Sequence, residues 1–199
     1  MTAHAQRYLD YCHNRRKPQL IIDTDPGQDD AAAILMALGL EKMGLLEVLA
    51  LTTVAGNVSL HNTSKNACVI ADWAGRSDLG VYGGAEKPLI KTLITAQHVH
   101  GHNGLGGMQL HKPKTPLKVL HAVAYMVDLL THAEPYSITI CAVGPLTNIA
   151  QMLSLAPEAA RGIKEIVIMG GSYFHPGNVT PMAEFNFYVD PHAAQVVLQ

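Results

Sequence analysis

The 199-residue sequence lacks the features that mark several classes of protein. Its three cysteines, Cys12, Cys68 and Cys141, are odd in number and far apart, so they indicate neither a disulfide framework nor a zinc knuckle. Charged residues make up only 15% of the chain and the formal net charge is -2, which provides no basic surface for nucleic acid or an anionic membrane. No apolar run approaches the roughly 20 residues that a transmembrane helix requires.

The N-terminus also lacks the apolar segment of a secretory signal, because polar side chains such as His4, Arg7 and Asp10 interrupt it. Together with the unpaired cysteines, this predicts a cytoplasmic protein. The sequence contains no G-x-G-x-x-G, G-x-x-x-x-G-K-[ST] or G-x-S-x-G motif, so dinucleotide-binding, P-loop and serine-hydrolase functions lack their required parts. Hydrophobic residues make up 48% of the chain, which is enough for one globular domain with a sizeable core.

Short apolar runs alternate with longer segments of helical period, a pattern typical of βα units. It predicts an α/β fold with an open, mostly parallel sheet and helices on both faces. We expect a helical N-terminal extension over residues 1–18, with its helix at 3–16, and an α/β domain over residues 19–199. The predicted strands cover residues 19–23, 48–54, 137–143 and 164–169; the predicted helices cover 29–39, 61–74 and 118–133, with others opening after Asn148 and at Asp190.

Two features of the chain depart from this regular alternation. Residues 83–117 are rich in glycine, proline and histidine with little periodicity, and so long a loop in a compact domain is usually functional, so we expect a mobile flap over a site. The chain ends inside the apolar helical pattern of residues 193–198, whereas an open sheet needs further strands at its far edge. We therefore expect the sequence to be a truncated form of a larger domain.

Four carboxylates lie within eight residues after the first predicted strand, at Asp23, Asp25, Asp29 and Asp30. Ligand sites of open α/β sheets lie at this end of the strands. Like charges this close need a compensating cation or bound hydroxyl groups, and an all-oxygen cluster favours Ca²⁺ or Mg²⁺ over zinc or copper. A simpler interpretation makes Asp29 and Asp30 helix-capping residues, but it leaves the other two aspartates unexplained.

Two later loops carry further polar groups. Asn178, Glu184 and Asn186 follow the strand that ends at Met169, and one carboxylate with two amides is suited to binding the vicinal hydroxyls of a sugar. The two asparagines also fit a structural role, with Asn178 in a Gly-Asn turn and Asn186 bonded to local backbone. In the long loop, the alternation of His98, His100 and His102 resembles a transition-metal site on an extended segment, although contact with a ligand or with solvent is commoner.

These segments, taken in order, resemble the inosine-uridine nucleoside hydrolase family. The family's Asp-x-Asp-Pro-Gly-x-Asp-Asp motif matches residues 23–30, and the agreement continues nearly to the end of the chain. Further matching segments are Thr53-Val54-Ala55-Gly56-Asn57, His98-Val99-His100-Gly101, Gly144-Pro145-Leu146-Thr147-Asn148, Met169-Gly170-Gly171 and Ala183-Glu184-Phe185-Asn186.

The resemblance implies hydrolysis of the N-glycosidic bond of ribonucleosides with Ca²⁺ as cofactor. Asp25 would bind Ca²⁺ and act as general base on a Ca²⁺-bound water, with Asp30 and the main-chain carbonyl of Val143 as further ligands. The other implied residues contact the substrate: Asp29, Asn178, Glu184 and Asn186 would hold ribose hydroxyls, Asn57 and Met169 would line the sugar pocket, and His98 belongs to the loop that contacts the ligand.

The resemblance also implies a soluble dimer or tetramer that binds a small-molecule ribonucleoside. The family's other calcium-binding aspartate and its leaving-group acid lie in a C-terminal third that this sequence does not contain. One alternative is therefore a non-catalytic module that binds ribose or a nucleoside. A second is a Mg²⁺-dependent phosphatase of the haloacid-dehalogenase type, which also places Asp-x-Asp after a strand but gives Asp29 and Asp30 no role. The sequence leaves the base preference open.

Overall fold

The computed structural model describes residues 17–199, so the predicted helix at 3–16 lies outside the described residues. Strands and helices alternate along nearly all of the described chain. The strands are β1 (Gln19–Thr24), β2 (Glu47–Thr53), β3 (Gly80–Gly83), β4 (Leu117–Lys118), β5 (Ile138–Ala142) and β6 (Ile163–Ile168). The α-helices are α1 (Gln28–Lys42), α2 (Leu60–Trp73), α3 (Gln97–His100), α4 (Ala122–His132), α5 (Thr147–Leu155), α6 (Phe185–Val189) and α7 (Pro191–Leu198), and a 3₁₀ helix covers Pro157–Gly162.

The six strands form one parallel sheet in the order β4-β3-β2-β1-β5-β6. This confirms the predicted open α/β fold. From β1 the chain proceeds outward through β2 to β4 on one side and then crosses back to β5 and β6 on the other. The strand order therefore reverses between β1 and β5, and such a reversal opens a crevice at the carboxyl ends of the strands where ligands bind.

Helices cover both faces of the sheet, as predicted. Successive residues of β1 point to opposite faces, so Ile21 packs with Met126 and Ile149 of α4 and α5, while Ile22 packs with Ile34 and Ile70 of α1 and α2. Each of these side chains is at most 3% exposed, and burial of one such side chain stabilises the fold by about 1.5–3 kcal/mol. Two cores thus hold the central strand, which ends in the aspartate-rich segment.

Several predicted boundaries differ from the structure. Asp29 does not cap α1: the N-cap is Gly27, whose backbone N–H donates to Oδ2 of Asp30 at 3.1 Å. The predicted helix at 118–133 starts instead at Ala122, because His121 caps it and residues 117–118 form the edge strand β4. Strand β3 was not predicted, since its four residues include two glycines and give no alternating pattern.

Candidate active site

Asp25 lies at the carboxyl end of β1, between the ends of β2 and β5. Its side chain is fully buried, and Oδ2 accepts a 2.7 Å hydrogen bond from the backbone N–H of Asn57. Two glycines leave room for this carboxylate. A Cβ on Gly56 would lie 2.1 Å from Oδ2, and one on Gly144 would lie 2.7 Å from Oδ1. The ends of three strands therefore fix the position of Asp25.

Asp30 lies in the first turn of α1 and is 5% exposed. Its Oδ1 accepts from the hydroxyl of Thr24 at 2.7 Å, and its Oδ2 accepts from Gly27 N–H. The side-chain amide of Asn57 donates both to the carbonyl oxygen of Asp25 at 3.1 Å and to Oδ2 of Asp30 at 3.3 Å. Asn57 thereby links the two buried carboxylates.

Burial raises the pKa of the buried aspartates because a charged carboxylate loses its hydration there. The pKa of Asp25 lies well above its ordinary value through burial and through the neighbouring charge of Asp30. Burial also raises the pKa of Asp30, against the hydrogen bonds from Thr24 and Gly27. The pKa of Asp23 rises to about 7 by burial, although Thr52 and Asn148 donate to its carboxylate. The hydrogen bonds thus compensate the burial of these carboxylates only in part.

The donor set fits a hard divalent cation. Oδ1 of Asp25 is buried without a hydrogen-bond partner, which is costly for a carboxylate oxygen unless a cation binds it. This atom lies beside Gly144, the residue that follows Val143. The Val143 carbonyl accepts one hydrogen bond, from Asn186, and so keeps a second lone pair. Among residues 17–199, no three His, Cys, Asp or Glu side chains form a cluster that could hold a metal by themselves.

Glu184 and Asn186 lie at the start of α6, where both have structural partners. Oε1 of Glu184 accepts from Asn186 N–H at 2.9 Å, and Oε2 accepts from Gly171 N–H at 2.9 Å. The Asn186 amide donates to the carbonyls of Val143 and Met169, each at 3.0 Å. Both side chains thus have hydrogen-bond partners within the protein, and the contacts of Asn186 bring the start of α6 against the end of β5.

A cavity of about 360 Å³ lies over these groups. Its wall includes Asp29, Asp30, Asn57 and Val143 from one side and the loop after β6 from the other. That volume suits a nucleoside. Every predicted site residue except the buried Asp25 lines it; the remaining ones are His98, Met169, Asn178, Glu184 and Asn186.

The histidine segment does not form the extended transition-metal site considered above. Residues 97–100 form the short helix α3, and Asn62 contacts the carbonyl of His102 rather than its ring. His98 and His100 both line the cavity, and Nδ1 of His100 pairs with Oε1 of Gln28 at 2.7 Å. The predicted flap thus contributes residues 94–96 and 98–100 to the cavity wall.

Sequence reasoning missed the residues that support the aspartates. Asn148 donates to Oδ2 of Asp23 at 2.8 Å and to the carbonyl of Thr53 at 3.0 Å, and its own Oδ1 accepts from Ala85 N–H. Thr52 donates to the same oxygen of Asp23 at 2.6 Å. Asn148 stood inside a matched family segment, but nothing in the local sequence indicates which strand end it meets.

A larger cavity, of about 1060 Å³, lies elsewhere, beside α2 and β4. Its wall includes Lys65, Lys87 and Lys118 and contains none of the aspartates of the β1 segment. Cavity volume alone would therefore select a site without these aspartates. The smaller cavity is the candidate active site, because, unlike the larger one, it combines buried carboxylates with the strand-order reversal.

Residues 20–199 match the family model described as inosine-uridine preferring nucleoside hydrolase. The chain belongs to this family. Membership decides against the haloacid-dehalogenase alternative. An uncharacterised protein of Schizosaccharomyces pombe is 51% identical over 180 residues, which make up 90% of this chain and 57% of that protein. The inosine-uridine preferring nucleoside hydrolase of Leishmania major is 44% identical, over 90% of this chain and 56% of the relative.

Solved nucleoside hydrolases share the fold. The purine-preferring ribonucleoside hydrolase from Gardnerella vaginalis superposes with a TM-score of 0.84 at 32% identity, over 90% of this chain and 57% of that one. The chain therefore spans a little over half the length of the nucleoside hydrolases that it matches. None of the described helices is long and apolar enough to cross a membrane.

Proposed function

We propose that the chain carries the catalytic base and the sugar-binding wall of a ribonucleoside hydrolase, which cleaves the N-glycosidic bond to give ribose and free base. The observation that carries this proposal is the buried, unpartnered Oδ1 of Asp25, beside Asp30 and next to a cavity of nucleoside size. Family membership supports the same reaction.

Asp25, Asp30 and the Val143 carbonyl would hold Ca²⁺. Their oxygens are the ligand type that this cation prefers, and two carboxylates with raised pKa values gain most from added positive charge. When bound, the cation lowers the pKa of water at the site and so favours formation of the nucleophile near neutral pH.

Asp25 acts as the general base and receives the proton of the attacking water on its carboxylate. A carboxylate beside that water is a suitable proton acceptor. Cleavage builds positive charge on the ribose ring, and the carboxylates of Asp29, Asp30 and Glu184 in the cavity wall stabilise it electrostatically.

The remaining wall residues position the sugar. Asp29, Asn178, Glu184 and Asn186 bind ribose hydroxyls, because their oxygens and amides supply both acceptors and donors. Asn57 and Met169 bound the sugar pocket. His98 lies across the cavity, on α3, where it contacts the base.

Release of free ribose from inosine, uridine, adenosine and cytidine tests the proposal, with Ca²⁺ and again with a chelator. We expect chelator-sensitive release, and the four rates give the base preference. Binding of nucleoside without release would instead identify a non-catalytic module. Release that the chelator leaves unchanged would exclude the calcium mechanism.

We also propose a cytoplasmic protein that binds no nucleic acid or membrane and assembles as a dimer or tetramer. The net charge of -2 supports the absence of such polyanionic partners. Light scattering of the purified chain measures the assembly, and a monomer at all concentrations would contradict it.

A further inference from the structure

The predicted flap is joined to the segment of α6 just before it enters the wall of the proposed ribose cavity. The backbone N–H of Leu89 donates to Oδ2 of Asp190 at 2.9 Å, and the ammonium group of Lys91 donates to the main-chain carbonyl of Tyr188. A step of two residues forward in the flap thus corresponds to a step of two residues back into α6. The two segments are therefore paired in opposite order, and Lys91 makes the side-chain contact nearer to the cavity.

Lys91 makes a second contact with the same tyrosine. Its Nζ lies 3.9 Å from the centroid of the Tyr188 ring. The face of an aromatic ring attracts a cation, and the attraction is larger where the cation has lost part of its water. Lys91 is half-buried, and no carboxylate in the described part of the chain forms an ion pair with it. Tyr188 is therefore the group that holds this ammonium.

Beyond Lys91, the same two segments form separate parts of the cavity wall. The flap supplies residues 94–96 and 98–100, and the start of α6 supplies residues 184–186. Within residues 17–199, residues 92–95 form no hydrogen bond, and the flap is next held at Ala96, whose N–H donates to the carbonyl of Asn57 at 3.0 Å. The contact of Lys91 with Tyr188 thus ties the stretch that leads into the cavity to the α6 side of the wall.

This tie affects binding because one ligand has to contact both parts of the wall. The apparent affinity of a protein for a ligand falls in proportion to the fraction of molecules outside the binding-competent arrangement. We propose that Lys91 is a positioning residue, which holds the flap against α6 so that both parts of the wall contact the ribonucleoside. This inference rests on the proposed function.

The location of Lys91 indicates that it acts through the flap. Lys91 does not line the ribose cavity. It lines a neighbouring cavity of about 490 Å³, which shares Glu184 with the ribose cavity. Its effect on a ligand is therefore transmitted by residues 94–100 and not by direct contact.

Lys91→Met tests this role, because methionine keeps an apolar stem and removes the ammonium group. Inosine is titrated into the whole chain by calorimetry in the presence of Ca²⁺. We expect the dissociation constant to rise ~10-fold, which corresponds to a competent fraction of about one tenth. The rate of ribose release at saturating inosine should stay within about twofold of the wild-type rate, since Asp25 and Asp30 are held by other hydrogen bonds.

Amide hydrogen exchange without inosine separates a tie from a direct contact with the ligand. The backbone N–H groups of Ala96, Val99 and His100 are hydrogen-bonded in the flap. If Lys91 holds the flap in place, these three amides should exchange ~10-fold faster in Lys91→Met than in the wild type. A residue that only contacted the ligand would leave their exchange unchanged.

Two further variants identify the group responsible. Lys91→Arg keeps a cation and a donor beside the Tyr188 ring, so inosine affinity and amide exchange should match the wild type. Lys112→Met is the matched control: it removes an exposed lysine of the same flap that has no partner among the described residues. This variant should also match the wild type in both measurements.

Several results would overturn the positioning role. Wild-type inosine affinity in Lys91→Met refutes it and leaves the proposed function standing, as does unchanged exchange at the three amides. Losses of affinity as large in Lys112→Met or in Lys91→Arg as in Lys91→Met also refute it, because the tie would then not be the cause. If the wild-type chain binds no inosine, the proposed function fails and the positioning role fails with it.

Discussion

The backbone N–H of Asn57 donates a 2.7 Å hydrogen bond to Oδ2 of Asp25. The side chain of Asn57 extends the link, because its amide also donates to the carbonyl of Asp25 and to Oδ2 of Asp30. The segment after β2 thereby fixes both carboxylates at the end of β1. Hydrogen bonds that orient metal ligands commonly contribute as much to affinity as a weak ligand does.

Replacement of Asn57 tests this support. Asn57→Ala should weaken calcium binding ~10-fold to 100-fold, because the Asp30 carboxylate and the main-chain carbonyl of Asp25 each lose the side-chain amide that orients them. The measurement is calcium affinity by calorimetry. Asn62→Ala is the control, since its amide contacts only the exposed carbonyl of His102. Equal calcium affinity in the two variants would show that Asn57 does not organise the site.

A methyl group at Gly56 should displace Asp25. A Cβ there would lie 2.1 Å from Oδ2 of Asp25, and the contact is too short to relieve without movement of the carboxylate. Gly56→Ala should lower the free energy of unfolding by about 1–3 kcal/mol. Gly39→Ala is the control: nothing lies within 4 Å of its Cβ inside α1, so we expect a gain of about 0.5–1 kcal/mol. Denaturant unfolding measures both, and equal effects would contradict the steric account.

Asp72 should make stability depend on acid pH. Burial raises the pKa of Asp72, but hydrogen bonds from four residues together outweigh it and hold the pKa below the ordinary value; the donors are Thr115, Lys114, Ser77 and His111. A lowered folded-state pKa contributes stability above the unfolded pKa of 3.8, and this contribution is lost as pH falls through the folded value.

Substitution of Asp72 tests whether this residue makes the protein less stable as the pH falls. At pH 7 the free energy of unfolding of Asp72→Ala should be about 1–3 kcal/mol below that of the wild type, because several donors are left without an acceptor. When the pH falls below about 4, the variant should lose less of its free energy of unfolding than the wild type does. Asp128→Ala, whose side chain is 77% exposed, is the control and should change little. Parallel stability curves for Asp72→Ala and wild type would refute the prediction.

Calcium should raise the melting temperature. A ligand that binds only the folded state at 100 times its dissociation constant adds about 2.7 kcal/mol of stability. Asp30→Asn removes one of the proposed ligands and should lose most of the shift, whereas Asp128→Asn should keep it. Differential scanning calorimetry gives the shift, and an unchanged response in Asp30→Asn would exclude Asp30 as a ligand.

Much of the fold was predictable because the apolar runs are local. The strands around Ile21, Leu51 and Ile140 are buried on both faces, and such strands appear as continuous hydrophobic segments. β3 and β4 were not predictable in this way. They are four and two residues long, and their strand state depends on pairing with β2 and with each other.

The candidate site was predictable only in part, because some of its contacts join segments that are distant in the sequence. Four aspartates in eight residues are visible locally, as are the amides and carboxylate of the later loop, and the resemblance to nucleoside hydrolases supplied Val143. The support of Asp23 by Asn148 spans 125 residues and arises when β1 and β5 become neighbours. The hydrogen bond from Gly171 N–H to Glu184 was likewise hidden, because it forms only when the loop after β6 folds back against the start of α6.

The most direct test of the proposed chemistry is the rate of ribose release from inosine by Asp25→Asn, compared with the wild type and with Asp128→Asn at saturating Ca²⁺. Loss of a general base lowers a rate by roughly 10²-fold to 10⁴-fold, and we expect at least that loss in Asp25→Asn, because the same change also removes a calcium ligand. Asp128→Asn should match the wild type. A wild-type rate in Asp25→Asn would contradict the assignment of Asp25 as the catalytic base.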